Sequence, residues 1–219
     1  MTLSPSNRKW PLILIAAAAS FIGYTQSKLP ADLDPQSRAR LPYLKSSDVD
    51  AKGKRVVDLF GKSGTVSGPL AFATYNPGVG QALLDLHDAA VTGGTLDAHT
   101  RELAILVACR ATNYNLEWNG HEPSAIKSGI DAKTIDVVHN NRPLTGLNEK
   151  DAAVIHFGRQ LFNDKKVDSA TFAKVVELWG KRGAMDMVAI MNTYAVSGFF
   201  AIAVDEHPAE GKPALPPVK

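Results

Sequence analysis

The sequence predicts an all-α protein, and three observations support this. Between residues 46 and 206, apolar side chains recur at the three- and four-residue spacing of helices. No segment shows the convincing alternation of apolar and polar residues that marks a half-buried strand. Asp, Asn and Gly stand where the helices would begin and end. With 219 residues, 45% of them apolar, the chain is long enough to form one domain around a real core.

Local signals bound each predicted helix in turn. The first runs from Asp48 to Phe60 and stops at Gly61, and a Gly/Pro-rich connection follows it. Asp97 is a predicted N-cap for a strongly apolar helix, and Asn148 and Asp168 open two later ones. The other predicted helices cover residues 79–91, 98–112, 114–129 (with Gly129 at its C-terminal end), 132–139, 148–162, 168–179 and about 184–204.

The last predicted helix is apolar on nearly every side. Asp186, Asn192, Thr193 and Tyr194 interrupt it. This pattern favours a central or oligomer-facing helix over a membrane span. Buried polar groups need partners, so Asn192 and Tyr194 are candidates for lining a site.

The two ends of the chain differ from the domain between them. Residues 1–27 combine a basic start, Arg8 and Lys9, with an apolar run shorter than the roughly 20 residues of a membrane span. They predict a signal peptide, or alternatively an uncleaved anchor, and hence export to the periplasm or the medium. Residues 28–45 are predicted to form a linker or surface arm, residues 46–206 the helical domain, and residues 207–219 a Pro-rich tail that trails in solvent.

Composition excludes two classes of function. Lys and Arg number 24 against 22 Asp and Glu, and no basic stripe carries interleaved aromatic residues, so nucleic acid is not an expected partner. The one cysteine, Cys109, cannot form an internal disulfide or a redox pair within the chain. Its apolar setting predicts a buried core residue.

The segment "YNLEWNGHEPSA", residues 114–125, carries the candidate site. On a helix Tyr114, Glu117, Trp118 and His121 share one face. Glu117 and His121 lie four residues apart, so the carboxylate can hydrogen-bond the imidazole and raise its pKa. Glu102, on the preceding helix, can approach the same imidazole if the two helices pack as an antiparallel pair.

A break in this helix is expected just after the histidine. Pro123 cannot donate a hydrogen bond to the carbonyl of Asn119, and Gly120 lies beside it. Such a kink would open space for a pocket.

Three interpretations of the cluster remain open from spacing alone. It can be a proton-transfer device, with His121 as general acid or base. It can be a buried pair that holds two helices in register. It can also be a metal site, although no second histidine shares the face.

The segment "TRELAILVACRATNYNLEWNGHEPSAIKSGI", residues 100–130, resembles the core of the carboxymuconolactone decarboxylase family, which includes alkylhydroperoxidase-D-like proteins. The resemblance implies a compact helical fold that assembles into dimers, trimers or hexamers. In the peroxidase branch a glutamate and a histidine relay protons around a C-x-x-C pair. Glu102 and His121 match that glutamate and histidine, whereas Tyr114 and Glu117 occupy the cysteine positions, so the resemblance does not support dithiol chemistry.

The decarboxylase-like branch implies proton transfer on a small oxygenated acid or lactone with neither metal nor organic cofactor. Within it His121 would be the general acid or base, Glu117 its orienting partner and Glu102 a second relay carboxylate. Trp118 and Tyr114 would line the pocket. Arg101 or Arg110 would bind an anionic substrate. The remaining histidines are predicted to lie at the surface, at helix ends or in the tail: His87, His99, His139, His156 and His207.

Two alternatives stay open at this point. One is a peroxidase activity of the kind the wider family name suggests. The other is an exported helical oligomer without catalysis, in which the Glu–His pair is structural.

Overall fold

The computed structural model describes residues 29–217, and helices dominate this part of the chain. The α-helices are α1 (Lys54–Phe60), α2 (Pro77–Thr92), α3 (Ala98–Ala111), α4 (Asn115–Lys127), α5 (Ala132–His139), α6 (Glu149–Arg159) and α7 (Ser169–Ala203). A two-stranded antiparallel hairpin, β1 (Gly61–Lys62) and β2 (Thr65–Val66), lies in the connection after α1. The all-α prediction is confirmed.

Side-chain caps fix where most helices begin. Asp97 accepts a hydrogen bond from the backbone N–H of Thr100, and Asn148 and Asp168 cap α6 and α7 in the same way. Each cap satisfies one of the backbone donors that a helix start leaves free. These three predicted caps are confirmed.

Helix α3 forms the centre of the fold. Every residue from Leu103 to Arg110 is buried, and α3 packs against α4, α6 and α7. Helix α2, in contrast, is buried on one side only: Leu84 and Ala90 face the interior, and Asp85 and Leu86 face solvent.

Three elements depart from their predicted bounds. The predicted first helix is two short 3-10 turns, Ser46–Asp48 and Ala51–Gly53, before the α-helix begins at Lys54. After α6 the chain forms a π-helical turn, Gln160–Asp164, in place of further α-helix. Helix α7 is interrupted at Gly180, whose φ of 72° and ψ of 172° are not helical, at the junction between the two helices that the sequence predicts.

The restart of the helix that is one of the outcomes expected after His121 does not occur. Helix α4 continues through Pro123 to Lys127. Gly120 and Pro123 lie on the exposed side of α4, where water can bind the carbonyl that proline leaves without a donor. The helix ends at Lys127, and Gly129, with φ of 91°, reverses the chain so that the N–H of Ile130 bonds the carbonyl of Ala125.

Both ends of the described chain pack against the helical domain. In the arm, the N–H of Arg40 donates to the carbonyl of Val204 at 2.7 Å. The prediction that the tail trails in solvent is wrong. Leu215 is buried in the main core cluster, and its N–H donates to the side-chain oxygen of Asn115 at 2.7 Å. The buried Leu215 and the hydrogen bonds of Asn115 and Asn119 with the tail hold it on α4.

The signal or anchor predicted for residues 1–27 lies outside the described residues. Among the described helices, α7 is long and apolar enough to cross a membrane, but half of its most apolar stretch is buried inside the protein. Core helices of soluble proteins have the same character.

Candidate functional site

His121 lies between two carboxylates, as the sequence predicts. Its Nδ1 is 2.9 Å from Oε2 of Glu102 on α3, and its Nε2 is 3.2 Å from Oε2 of Glu117 on α4. The side chains are 25%, 12% and 10% exposed for His121, Glu102 and Glu117. The imidazole therefore bridges two adjacent helices in a largely water-excluded position.

Local structure explains how these three side chains meet. The chain turns back between α3 and α4 through residues 112–114, and Asn113 takes a left-handed conformation with φ of 52°. This short turn packs α3 against α4 and places Glu102 opposite His121. Glu117 lies one helical turn before His121, so it reaches the other ring nitrogen.

The two carboxylates hold the imidazole in its charged form. Burial alone would lower the pKa of His121, but the hydrogen bonds and charges of Glu102 and Glu117 outweigh burial and raise it to about 9. At neutral pH the ring is an imidazolium that donates one hydrogen bond to each carboxylate. The cluster thus holds a transferable proton between two bases.

The cluster forms one wall of a cavity of about 410 Å³. This volume lies within the range of small-molecule sites. The polar lining comes from Arg101, Glu102, Glu117, His121, His87, Thr193, Tyr194 and Ser197. The apolar lining comes from Phe60, Pro69, Leu70, Leu83, Leu84, Val91 and Ile105.

Arg101 is the cation of this cavity. It is half-buried, and it forms no ion pair with any carboxylate of residues 29–217. Arg110, the other arginine considered from the sequence, is buried near the opposite end of α3 and does not line the cavity. Arg101 is therefore the residue placed to attract an anionic group.

The two aromatic residues expected to line the pocket lie elsewhere. Trp118 is buried in the core, where its Nε1 donates to Glu122 at 3.1 Å and its ring meets the ring of His139 edge-on at 5.3 Å. Tyr114 is buried beside a separate cavity near the arm and the end of α7. Both residues share the helical face of His121. This face is wider than the cavity, so its other side chains pack into the core.

Tyr194 and His87 supply the site's remaining polar groups. The ring of Tyr194 meets the ring of His121 edge-on, with centroids 4.9 Å apart, and its hydroxyl lies 3.4 Å from Nε2 of His87. Burial, and then the charge of Glu117, raise the pKa of Tyr194, so this phenol stays protonated. The sequence marks Tyr194 as a candidate, and Asn192, the other one, is exposed and outside the cavity.

His87 lies at the surface, as the sequence predicts, with 39% of its side chain exposed, but it also lines the cavity. His87 shares one side of α2 with Leu83 and Val91, which also line the cavity. This four-residue spacing is visible in the sequence and would have identified the residue. His99 also has a definite partner: its Nε2 lies 2.7 Å from the buried carboxylate of Asp151 on α6, which makes it a helix-linking residue.

The position of the cysteine and the arrangement of His, Asp and Glu side chains do not favour thiol or metal chemistry. Cys109 is fully buried, and burial raises its pKa well above the ordinary value, so the thiol is inert. Both nitrogens of His121 contact carboxylates. In the part of the chain that the structure describes, no group of three or more His, Cys, Asp or Glu side chains is arranged to hold a metal ion.

Comparison with known proteins agrees with the geometry. Residues 77–156, from the start of α2 into α6, match the model of the carboxymuconolactone decarboxylase family, and this stretch contains Glu102, Glu117 and His121. A search of curated proteins finds no match.

Two solved structures resemble the fold. One is an alkylhydroperoxidase AhpD core, an uncharacterized peroxidase-related protein from Ralstonia eutropha JMP134, with a TM-score of 0.61 and 21% identity, covering 78% of this chain and 93% of that chain. The other is the debrominase Bmp8 in complex with 2,3,4-tribromopyrrole, with a TM-score of 0.60 and 12% identity, covering 77% of this chain and 90% of that chain. At these identities the likeness concerns the fold alone.

Proposed function

We propose that the chain, whose residues 77–156 match the model of the carboxymuconolactone decarboxylase family, is an enzyme that transfers protons on a small oxygenated acid or lactone without a cofactor. The observation that carries the proposal is His121, held between Glu102 and Glu117 in the wall of a cavity of about 410 Å³. A general acid must lie within reach of its substrate and hold its proton at the working pH. His121 lines the cavity and holds its proton at neutral pH, and one of its two N–H groups would leave its carboxylate partner to reach the substrate.

For a decarboxylation, the steps use only groups already described. Arg101 binds the substrate's carboxylate or a second anionic group. The bond between this carboxylate carbon and the substrate breaks, CO₂ leaves, and the electron pair moves into an enolate. The imidazolium of His121 then gives a proton to carbon, and Glu102 and Glu117 support its reprotonation from solvent. The balance is one carboxylate and one proton consumed for each CO₂ and each C–H formed.

Isomerisation uses the same groups in a different order. A carboxylate of the cluster takes a proton from a carbon next to a carbonyl, and the imidazolium returns one at another position. The phenol of Tyr194 and the ring of His87 can hydrogen-bond the enolate oxygen. The substrate class, an oxygenated acid or lactone, is common to both reactions.

A mass-spectrometric panel tests the proposal. Keto acids, lactones and a halogenated pyrrole are incubated with the protein in D₂O, and CO₂ loss or deuterium uptake at carbon is measured. The pyrrole is included because one structural neighbour was solved with 2,3,4-tribromopyrrole. We expect turnover of at least one acid or lactone, reduced about 100-fold or more in His121→Gln.

The matched control is His139→Gln, which changes a histidine outside the cavity. It should keep the wild-type rate. If the wild-type chain leaves the whole panel unchanged while His121→Gln only destabilises the fold, the cluster is structural and the chain is the non-catalytic oligomer considered from the sequence. Peroxidase activity has no dithiol to support it, since Tyr114 and Glu117 occupy the cysteine positions and Cys109 is buried.

We also propose that the chain forms a homo-oligomer. Met185, Phe199 and Ile202 on α7 are more than half exposed, an unusual exposure for large apolar side chains. Light scattering at micromolar concentration should give a mass above one chain, and Phe199→Glu should lower it. A wild-type mass of one chain, unchanged in Phe199→Glu, contradicts this proposal.

Export of the chain is the last part of the proposal, and it rests on the basic and apolar start of the sequence. Cell fractionation with an antibody against the helical domain tests it. A chain found wholly in the cytoplasm contradicts it.

A further inference from the structure

A small crevice between α3, α5 and α6 is lined by two arginines, and none of its lining residues is an Asp or a Glu. Arg110 of α3 and Arg159 of α6 both line it, together with the side chains of Asn141 and Asn163. Neither arginine forms an ion pair with a carboxylate of residues 29–217. The crevice is therefore lined by two cations and two amide groups.

Arg110 is the group that most needs a partner. It is only 4% exposed, and its Nε is buried without a hydrogen-bond partner among residues 29–217, while one terminal nitrogen donates to Asn113 at 3.1 Å. Leaving a charged donor buried and unpaired is costly, and native proteins normally satisfy such groups. Burial lowers the pKa of both Arg110 and Arg159, which reflects the same cost.

Arg159 adds to the positive potential while its own donors are mostly used. Its two terminal nitrogens donate to the carbonyls of Arg142 and Val137 at 2.9 and 3.0 Å. These bonds hold the guanidinium at the crevice. A compact anion placed beside it would face both positive charges at once, in surroundings where charge interactions are stronger than in water.

The size of the crevice limits the choice of ligand. Its volume is about 20 Å³, enough for one water-sized particle. A crevice this small favours a compact anion such as chloride or bromide over phosphate or sulfate, whose four oxygens need more room.

We propose that this crevice binds a single compact monovalent anion of the chloride class, held by Arg110 and Arg159. The site is separate from the Glu–His cavity, since the two share no lining residue. The bound anion neutralises the buried charge and stabilises the junction of α3, α5 and α6. This inference does not depend on the proposed enzymatic activity.

Thermal unfolding at constant ionic strength tests the proposal. Sodium gluconate, whose anion is too large for the crevice, is replaced stepwise by sodium chloride. We expect Tm to rise and saturate, by about 4 °C when chloride reaches about ten times its dissociation constant. Bromide soaked into crystals should give an anomalous peak beside Nε of Arg110.

Two variants and a control make the result decisive. Arg110→Gln should lose the chloride-dependent rise, and Arg159→Gln provides the same test if Arg110→Gln does not fold. Arg182→Gln, which changes an exposed arginine on α7, should keep the full rise.

Three results would overturn the inference. The first is a Tm that is the same in gluconate and chloride, which means that water occupies the crevice. The second is a rise that depends on protein concentration and not on chloride, which means that a carboxylate of a second copy enters it. The third is a bromide peak without any change of Tm in solution, which means adventitious binding only.

Discussion

The charged state of His121 should make the protein's stability depend on pH in the alkaline range. The pKa of His121 is about 9 in the folded chain, compared with 6.5 for a free histidine. The folded state therefore binds a proton that the unfolded state has released. This contribution to stability is fully present below pH 6.5 and is lost as the pH rises through 9.

The size of the effect follows from the two pKa values. Each pKa unit corresponds to about 1.4 kcal/mol, and part of the contribution is already lost by pH 7, so the loss between neutral pH and pH 10 is about 2–3 kcal/mol of unfolding free energy. His121 is only 25% exposed, so solvent screens its two carboxylate partners weakly.

Urea unfolding of the wild-type chain and of His121→Gln at a series of pH values from 6 to 10 measures this loss. Other groups titrate in both proteins, so the difference between the two curves isolates His121. We expect the wild-type advantage to shrink steadily above neutral pH, and His139→Gln to follow the wild-type curve. Parallel curves for wild type and His121→Gln would refute the view that the carboxylates hold an imidazolium. An NMR titration of the His121 ring locates its midpoint directly.

Three further predictions come from other parts of the structure. Arg101→Gln should raise KM for carboxylate substrates at least about 10-fold, because a charged hydrogen bond is lost. The KM for neutral lactones should not change, and an equal rise for carboxylates and lactones would contradict this. Leu215→Ala should lower the unfolding free energy in urea by about 2–3 kcal/mol, because it empties a buried position, and an unchanged value would mean that the tail is not docked. Gly198→Ala should cost about 1–3 kcal/mol, because its Cβ would lie 2.3 Å from Oγ1 of Thr112, whereas Gly120→Ala meets no atom within 4 Å and should gain up to about 1 kcal/mol. If Gly198→Ala and Gly120→Ala changed Tm by the same amount, the close contact of Gly198 with Thr112 would be refuted.

Features governed by neighbours along the chain were predictable from the sequence. Asp97, Asn148 and Asp168 cap helices because the donors they satisfy lie only three residues away. The contact between Glu117 and His121 follows from helical spacing alone.

Features that depend on packing between distant residues were not predictable from the sequence. The docking of Leu215 against Asn115 joins residues 100 positions apart, and no local pattern in a Pro-rich tail encodes such a contact. Trp118 shares its face with His121, but that face covers both cavity and core, so spacing alone could not assign the ring to one of them. Pro123 was expected to break α4 because the sequence does not show that it lies on the wet side, where the break is unnecessary.

The contrast between α3 and α2 bears on how the shape of the cavity could change. The residues of α3 from Leu103 to Arg110 are all buried, so most replacements there would disturb the interior that supports Glu102. Leu83, His87 and Val91 of α2 are only partly buried, and water lies behind the helix that carries them. Exchanging these three side chains would reshape the wall opposite the acids while leaving the proton-carrying cluster in place. Selection, natural or in the laboratory, would therefore reshape the cavity most readily through α2.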